Sequence, residues 1–129
     1  MADTLTTQVY DGARNYQIKL VDDSDGTGLL AAKVVDVTTM HPNPGVHMKL
    51  KRIRFSIYAM RVELLWEAST PVPIAIIGPG EDILDFSREY AGGWPDNAGV
   101  GVTGSVLMTT RDQVAGSGFT IVLEFIKGV

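Results

Sequence analysis

The sequence predicts an all-β protein, an antiparallel β-sandwich of jelly-roll-like form with about eight short strands. Short apolar runs alternate with polar residues at a period of two, which places one face of each run in a core. Fourteen glycines and six prolines interrupt these runs, as expected for a chain with many turns. The 129 residues suffice for one hydrophobic core, so a single domain over residues 1–129 is predicted.

The rest of the chain is expected to pack around residues 49–67, the longest patterned run without glycine or proline. Its alternating apolar residues are Ile53, Phe55 and Ile57, then Val62, Leu64 and Trp66. The apolar positions change from odd to even, which a straight strand cannot do. A bulge or a corner between two sheets is therefore predicted at residues 58–61. Some of these residues also recur at helical spacing, so a helix is the alternative, but the β-branched and aromatic content favours strands.

Strands are also predicted around this run. They lie at residues 8–11, 16–20, 29–37, 74–77, 105–110 and 119–126, with a turn at 116–118. Pro71 and Pro73 predict an edge or a crossover position for the strand beside them. Residues 1–7 are predicted to be a flexible terminal segment, with an arm that orders on a neighbour as the alternative. Residues 78–101 are predicted to form one long glycine- and proline-rich loop region, in which Ile83, Leu84 and Phe86 could form a brief strand or a helical turn. A loop of this length is typically functional.

Two features could indicate a metal site, and both fail the comparison with known ligand patterns. With Gly26 sixth, an EF-hand loop would need an acid first and a glutamate twelfth, but those positions hold Val21 and Ala32, so a solvated turn is predicted at residues 22–28. His41 and His47 have no nearby acid or cysteine to complete the three or four ligands that zinc requires. No metal and no cofactor is predicted.

No catalytic residue is predicted either. The chain has no G-x-S-x-G elbow, and the glycines at 78–80 do not lead into a phosphate loop. The acids at residues 81–89 could supply a carboxylate pair for glycoside hydrolysis, but such a run is typical of a solvated face. The absence of cysteine excludes thiolate chemistry and fits assembly in a reducing cytoplasm. The net charge of −4 argues against general nucleic-acid binding, and no apolar run is long enough for a membrane span.

The charge pattern instead indicates docking. Five of the eleven lysines and arginines lie between residues 49 and 61, whereas acids cluster at 22–25 and 81–89. Separate patches of opposite charge favour oriented contact with a partner or another subunit. The alternative is that Arg52 and Arg54 face solvent and discourage edge-to-edge strand pairing. The contact residues predicted from charge and from aromatic character are Arg52, Arg54, Tyr58, Arg61, Tyr90 and Trp94.

Several sequence segments occur in an order similar to that in a known group of proteins. They are VYDGARNYQIKLV, IRFSIYAMRVELLWEAS followed by PVPI, LDFSREYAGGWPDNAG, GSVLMTT and TIVLEFIKG, which together extend from about residue 8 to residue 127. The order resembles small virion structural proteins of tailed bacteriophages, of the capsid decoration or cement type. The resemblance is one of strands and loops and carries no catalytic residue.

The resemblance implies a β-sandwich on the capsid exterior, assembled in the host cytoplasm. It implies that the major capsid protein is the partner and that the chain forms a homo-oligomer, with a trimer favoured. One alternative is a head–tail connector, tail or fibre-associated protein of the virion. A second is a carbohydrate-binding module that uses Tyr90 and Trp94 as a stacking platform. Capping of the open end of the sandwich or contact with another subunit is favoured over stacking for these two residues.

Overall fold

The computed structural model describes residues 4–26, 28–41, 43–44, 47–87, 93–95 and 99–127. Its strands are β1 (Thr4–Asp11), β2 (Asn15–Asp25), β3 (Ala32–Val35), β4 (Met48–Tyr58), β5 (Arg61–Trp66), β6 (Val72–Ile77), β7 (Gly80–Asp85), β8 (Trp94–Pro95), β9 (Val106–Arg111) and β10 (Ala115–Lys127). A single turn of 3₁₀ helix covers Val37–Thr39. In the part of the chain that is described, no helix has the length and apolar character needed to cross a membrane.

The strands form two antiparallel sheets that confirm the predicted sandwich. The larger sheet has the order β1-β2-β10-β4-β7, with the short β8 also paired to β4, and the smaller sheet has the order β3-β9-β5-β6. The pairs β2–β10, β3–β9, β4–β7 and β5–β6 are nested one inside the next along the chain, and successive pairs alternate between the sheets. This nesting is the arrangement of a jelly roll, to which β1 adds one further edge strand.

The corner predicted at residues 58–61 is confirmed, and the helical alternative is wrong. Strand β4 ends at Tyr58 in the larger sheet, and β5 begins at Arg61 in the smaller one. Ala59 turns the chain with a φ of 57°, in the left-handed region, and Ser117 Oγ donates a hydrogen bond of 3.0 Å to its carbonyl oxygen. The change of sheet explains why the buried positions switch parity.

The core lies between the two sheets and is filled from alternate positions, as predicted for β10. Tyr16, Trp66 and Phe125 pack edge to face, with Phe125 ring centroids 6.2 Å from Tyr16 and 6.4 Å from Trp66. Each large apolar side chain that is fully buried contributes about 1.5–3 kcal/mol. The largest of these are Trp66, Phe125, Leu20, Met40, Met48, Leu50, Ile53, Met60, Leu64, Met108, Ile121 and Leu123.

Strand β1 corrects the prediction that residues 1–7 form a flexible segment. Residues 4–7 are already paired with β2, in a ladder that runs from Thr4 opposite Asp23 to Asp11 opposite Tyr16. Leu5 is half-buried and packs against the core, which gives this polar segment an apolar anchor. Residues 1–3 lie outside the described residues. Edge position also holds for β6, as Pro71 and Pro73 predicted.

Three further segments that the sequence assigned to turns or loops contain strand. Residues 22–25 continue β2, with Asp22 and Ser24 buried on its inner face, because pairing with β1 and β10 on both sides overrides the polar composition. Residues 116–118 belong to β10, where a register shift between Ala115 and Gly118 and a φ of 92° at Gly116 mark a bulge. The region 78–101 contains β8 and also β7, which includes Ile83 and Leu84 and so favours the brief strand over the helical turn there.

Candidate functional site: the outer face of the larger sheet

The side chains that the larger sheet turns away from the core form a regular array, here called the outer face. Successive residues of a strand point to opposite sides, so cross-strand neighbours of one parity share this face. Its three rows, from β7 to β1, are Asp85, Arg52, Glu124, Gln17 and Tyr10; Ile83, Arg54, Val122, Lys19 and Gln8; and Glu81, Ser56, Thr120, Val21 and Thr6. The array mixes both signs of charge with apolar and amide side chains.

Glu124 lies on β10, the middle strand of the outer face, in the row at one end, and is nevertheless buried, with 8% of its surface exposed. Its Oε1 is 3.5 Å from both Arg52 Nη1 and Gln17 Nε2. Its Oε2 is 3.3 Å from Arg54 Nε, in an ion pair that lacks the geometry of a hydrogen bond. A carboxylate removed from water is stabilised by nearby cations, so Glu124 and the two arginines restrain one another.

The ion pairs extend from Glu124 to the edge of the sheet. Arg52 Nε also lies 3.7 Å from Asp85 Oδ2 on β7. The acids of β7 and the basic residues of β4 were predicted to form separate patches. They lie instead on adjacent strands, where Arg52 and Asp85 join them in one network. Because β4 lies between β10 and β7, Arg52 and Arg54 do not protect an edge, so that part of the alternative is wrong, although both side chains do reach solvent.

Shallow depressions on the outer face join into one trough. The larger is about 460 Å³ and lies between β10, β4 and β7, whereas its neighbour is about 320 Å³ and extends to β1. Arg54 and Val122 line both, so the two depressions are continuous. A smaller hollow of about 150 Å³ beside Glu124 is lined by Tyr10, Gln17 and Lys51, among others. The trough therefore runs across the strands of the sheet.

The predicted contact residues fall at several places. Arg52 and Arg54 lie on the outer face, and Tyr58 follows them at the end of β4 with 71% of its surface exposed. Arg61 is on the other sheet, where its Nε is 2.7 Å from Asp112 Oδ2. The structure thus brings the first three together and separates Arg61 from them.

Of the stacking platform predicted from Tyr90 and Trp94, the structure describes Trp94 alone. Trp94 lies in β8, paired with Leu50 of β4, and is half-buried. Its ring is tilted by 55° against that of Phe86, with centroids 6.1 Å apart. Tyr90 lies outside the described residues. Trp94 therefore contributes to the packing at one edge of the sheet.

Sequence interpretation did not single out Glu124, Lys19 or Tyr10. The parity of the predicted strand at 119–126 already placed Glu124 on the polar side, and that was the available signal. Its burial and its partners depend on which strands flank β10, and the strand order is a property of the whole fold. Tyr10 is 65% exposed at the rim of the trough.

A second charged cluster joins the end of β1 to the end of β10 in the larger sheet. The Lys127 side chain, 2% exposed on the inner face of β10, donates a hydrogen bond to Asp11 Oδ1. The backbone N–H of His41 donates to Asp11 Oδ2 at 2.9 Å. Desolvation raises the pKa of Asp11, but these two hydrogen bonds and the charges of Lys127 and His41 together lower it below its ordinary value.

Metal-binding groups are sparse in the described part of the chain. His41 and His47 are both exposed. Among the described residues, no three histidine, cysteine or acidic side chains are grouped so that they could hold a metal ion. Their exposure agrees with the prediction that the two histidines are surface residues.

Comparison with known proteins yields no relative. No protein-family model matches the chain, and neither a curated protein nor a solved structure matches it.

Proposed function

We propose that the protein is a structural protein of the virion, of the decoration or cement type, which binds the major capsid protein lattice of a tailed bacteriophage without catalysis. It would lie on the capsid exterior after assembly in the host cytoplasm. The observation that carries the proposal is the outer face, where a continuous trough crosses a sheet whose charged side chains already restrain one another.

The order of the outer face favours binding. Side chains that are fixed before a partner arrives lose less conformational entropy on association. Glu124 holds Arg52 and Arg54 in this way, and the short Val122 between charged neighbours leaves room for a partner side chain. Backbone hydrogen bonding to β2 and β4 keeps β10 rigid under the trough.

The size of the outer face favours repetition of the contact. Five strands about 4.8 Å apart, each presenting three residues over about 17 Å, give a footprint of roughly 400 Å². A stable interface buries about 800 Å² on each partner, so one such contact is weak. Several copies joined in an oligomer and held on a repeating lattice would gain affinity by avidity. This supports a homo-oligomer, with a trimer favoured.

The proposal is tested by adding the purified, labelled protein to capsids of the virus that encodes it, stripped of their native copies. Co-sedimentation that saturates at a fixed ratio to the major capsid protein is expected, and electron microscopy should place the density outside the shell. Light scattering coupled to size exclusion measures the oligomer. A strict monomer that does not sediment with capsids would refute the proposal.

Copy number separates decoration from the alternative of a head–tail connector, tail or fibre-associated protein. Quantitative mass spectrometry of intact virions is expected to give hundreds of copies per particle. A count of about six to a few dozen would correspond to the rotational symmetry of the tail or portal region, and would indicate that the protein belongs to that region and not to the shell.

A second candidate function, carbohydrate binding, is favoured by the exposed Tyr10 beside Gln8 and Gln17 in the trough. Aromatic rings stack on sugar faces, and amides bond to sugar hydroxyls. A glycan array gives the test, with the variants Tyr10→Ala and Trp94→Ala compared. Binding that is lost on Tyr10→Ala would support a glycan site in the trough, and a silent array would exclude it.

A further inference from the structure

We propose that the trough takes an extended segment of the partner protein that carries an acidic residue and, about three residues away, a basic one. The acidic side chain binds between Lys19 and Arg54, above Val122, and the basic side chain binds at Glu81 and Asp82. This inference rests on the proposed function and names the chemistry of the partner at the same site.

Lys19 and Arg54 form a pair of cations around a short side chain. Both are cross-strand neighbours of Val122 in the same row, one on each side. Neighbouring strands are about 4.8 Å apart, so the two Cα atoms are about 10 Å apart. Lysine and arginine side chains are long enough to converge above the half-buried valine between them. One carboxylate placed there would contact both cations.

These two cations retain unused binding capacity. Within the described residues, Lys19 forms no ion pair, and the recorded ion pair of Arg54 uses Nε. The two terminal Nη groups of Arg54 are left to bind a carboxylate side by side, the geometry that guanidinium prefers. The ion pair between Glu124 Oε2 and Arg54 Nε restrains the arginine side chain, so less conformational entropy is lost when a ligand binds.

The opposite end of the trough is acidic. Glu81 and Asp82 line the same depression as Arg54 and Val122, and both are exposed. Strand β7 is two strand spacings from β10, about 10 Å, which an extended peptide covers in about three residues. Ile83, 53% exposed, lies on β7 in the same row as Val122 and offers an apolar contact where the segment reaches that strand. An acid-x-x-base segment therefore matches the charges and their separation.

The same charges disfavour a uniformly acidic ligand. A polysaccharide with a carboxylate on each unit would meet Lys19 and Arg54 favourably, but it would be repelled at Glu81 and Asp82. A peptide can alternate the sign of its charge over this distance, so a protein segment fits both ends of the trough.

Zero-length cross-linking on the complex with capsids tests the position of the acidic residue. A carbodiimide joins a lysine amine to a carboxylate in direct contact, and the joined peptides are identified by mass spectrometry. We expect Lys19 to be joined to an aspartate or glutamate of the major capsid protein, whereas Lys33, on the smaller sheet, should not be. Saturable binding with Lys19 unlinked would overturn the inference.

A charge reversal with a matched control gives the second test. Lys19→Glu is expected to weaken capsid binding by at least about tenfold, because it replaces attraction with repulsion at a close charge pair. Arg14→Glu makes the same change of charge at an exposed residue outside the outer face and should bind as the wild type does. Equal thermal midpoints for both variants would show that each is folded.

The outcomes distinguish the two proposals. If the wild type does not bind capsids, the proposed function fails. If the wild type and Lys19→Glu bind equally, the proposed function stands and the inference is wrong. If the wild type instead binds acidic glycans and Lys19→Glu abolishes that binding, the occupant of the trough is a sugar and the inference is overturned.

Discussion

Lys127 places an ammonium group on the inner face of β10, where an unpaired charge would cost several kcal/mol. Asp11 offsets that cost, and by accepting from the His41 N–H it also fastens the segment after the 3₁₀ helix to the sheet. Asp11 therefore links the end of β1 to the end of β10 and to the connection between β3 and β4.

Asp11→Asn is expected to lower the free energy of unfolding by about 2–3 kcal/mol, because it leaves the buried Lys127 ammonium without a counter-charge. The control is Asp112→Asn, which removes an exposed ion pair with Arg61 and should cost less than about 1 kcal/mol. Urea denaturation of both variants measures the difference. Similar losses would mean that Lys127 is not dependent on Asp11.

The lowered pKa of Asp11 gives this tie a dependence on pH. Because the folded-state pKa is below the unfolded value of about 3.9, the stabilisation is complete above that value and is lost as pH falls through the folded pKa. The gap in stability between wild type and Asp11→Asn is therefore expected to be full at about pH 7 and to shrink at about pH 3. Denaturation at both pH values measures it, and a constant gap would contradict the assignment.

At the scale of the element, alternation predicted the strands with apolar faces and failed for the polar ones. The parity switch in residues 49–67 correctly indicated the corner between β4 and β5. The ends of β1 and β2 were missed because their polar residues are held by pairing with neighbours and not by their own propensity. Where a strand has partners on both sides, the ladder can retain residues that would otherwise form a turn.

The corner provides a prediction about backbone strain. The left-handed conformation costs a residue with a side chain about 1–2 kcal/mol, and β-branched residues tolerate it least. Ala59→Gly should therefore raise the free energy of unfolding by up to about 1 kcal/mol, whereas Ala59→Val should lower it by about 1–2 kcal/mol. Thermal denaturation of both variants measures the difference.

Ala13 serves as the control for this comparison, since its φ is not positive. Ala13→Gly should have no effect or should destabilise slightly, through the greater freedom of the unfolded chain. An equal response to glycine at residues 13 and 59 would show that the corner is not strained.

The ion-pair network of the outer face gives a prediction for three neighbouring strands. Glu124→Gln should lower stability by about 1–2 kcal/mol, a modest figure because Arg52 and Arg54 are 30% and 49% exposed and can take up water. Glu81→Gln, at an exposed position on the edge strand, should change it by less than about 0.5 kcal/mol. Chemical denaturation measures both, and a neutral Glu124→Gln would mean that the network contributes nothing to the fold.

At the scale of the whole molecule, the sandwich was predictable from the sequence and most of the candidate site was not. Arg52, Arg54 and Tyr58 are even-numbered residues of a single strand, so their common face follows from alternation along that strand. Lys19, Val122 and Glu124 join that face through the order β2-β10-β4, which brings together residues about a hundred positions apart. Local patterns carry no information about such distant neighbours.

The same distant pairing should make folding slow. Asn15 opposes Ile126, and folds dominated by such contacts refold in milliseconds to seconds. Stopped-flow fluorescence of tryptophan, including Trp66 against Phe125, is expected to show a main phase in that range. Complete refolding within about 100 μs would indicate that a local element forms most of the structure.

In the part of the chain that the structure describes, strand β1 pairs with β2 alone and leaves a long open edge on the sandwich. Its eight residues, Thr4–Asp11, include one charged side chain, whereas the opposite edge at β7 carries three acids and β6 contains a proline. Unpaired backbone groups attract further strands, and acidic residues and proline discourage them. Two copies that met at β1 would close a twofold pair and leave no equivalent edge for a third, so crowding would produce dimers in preference to fibres.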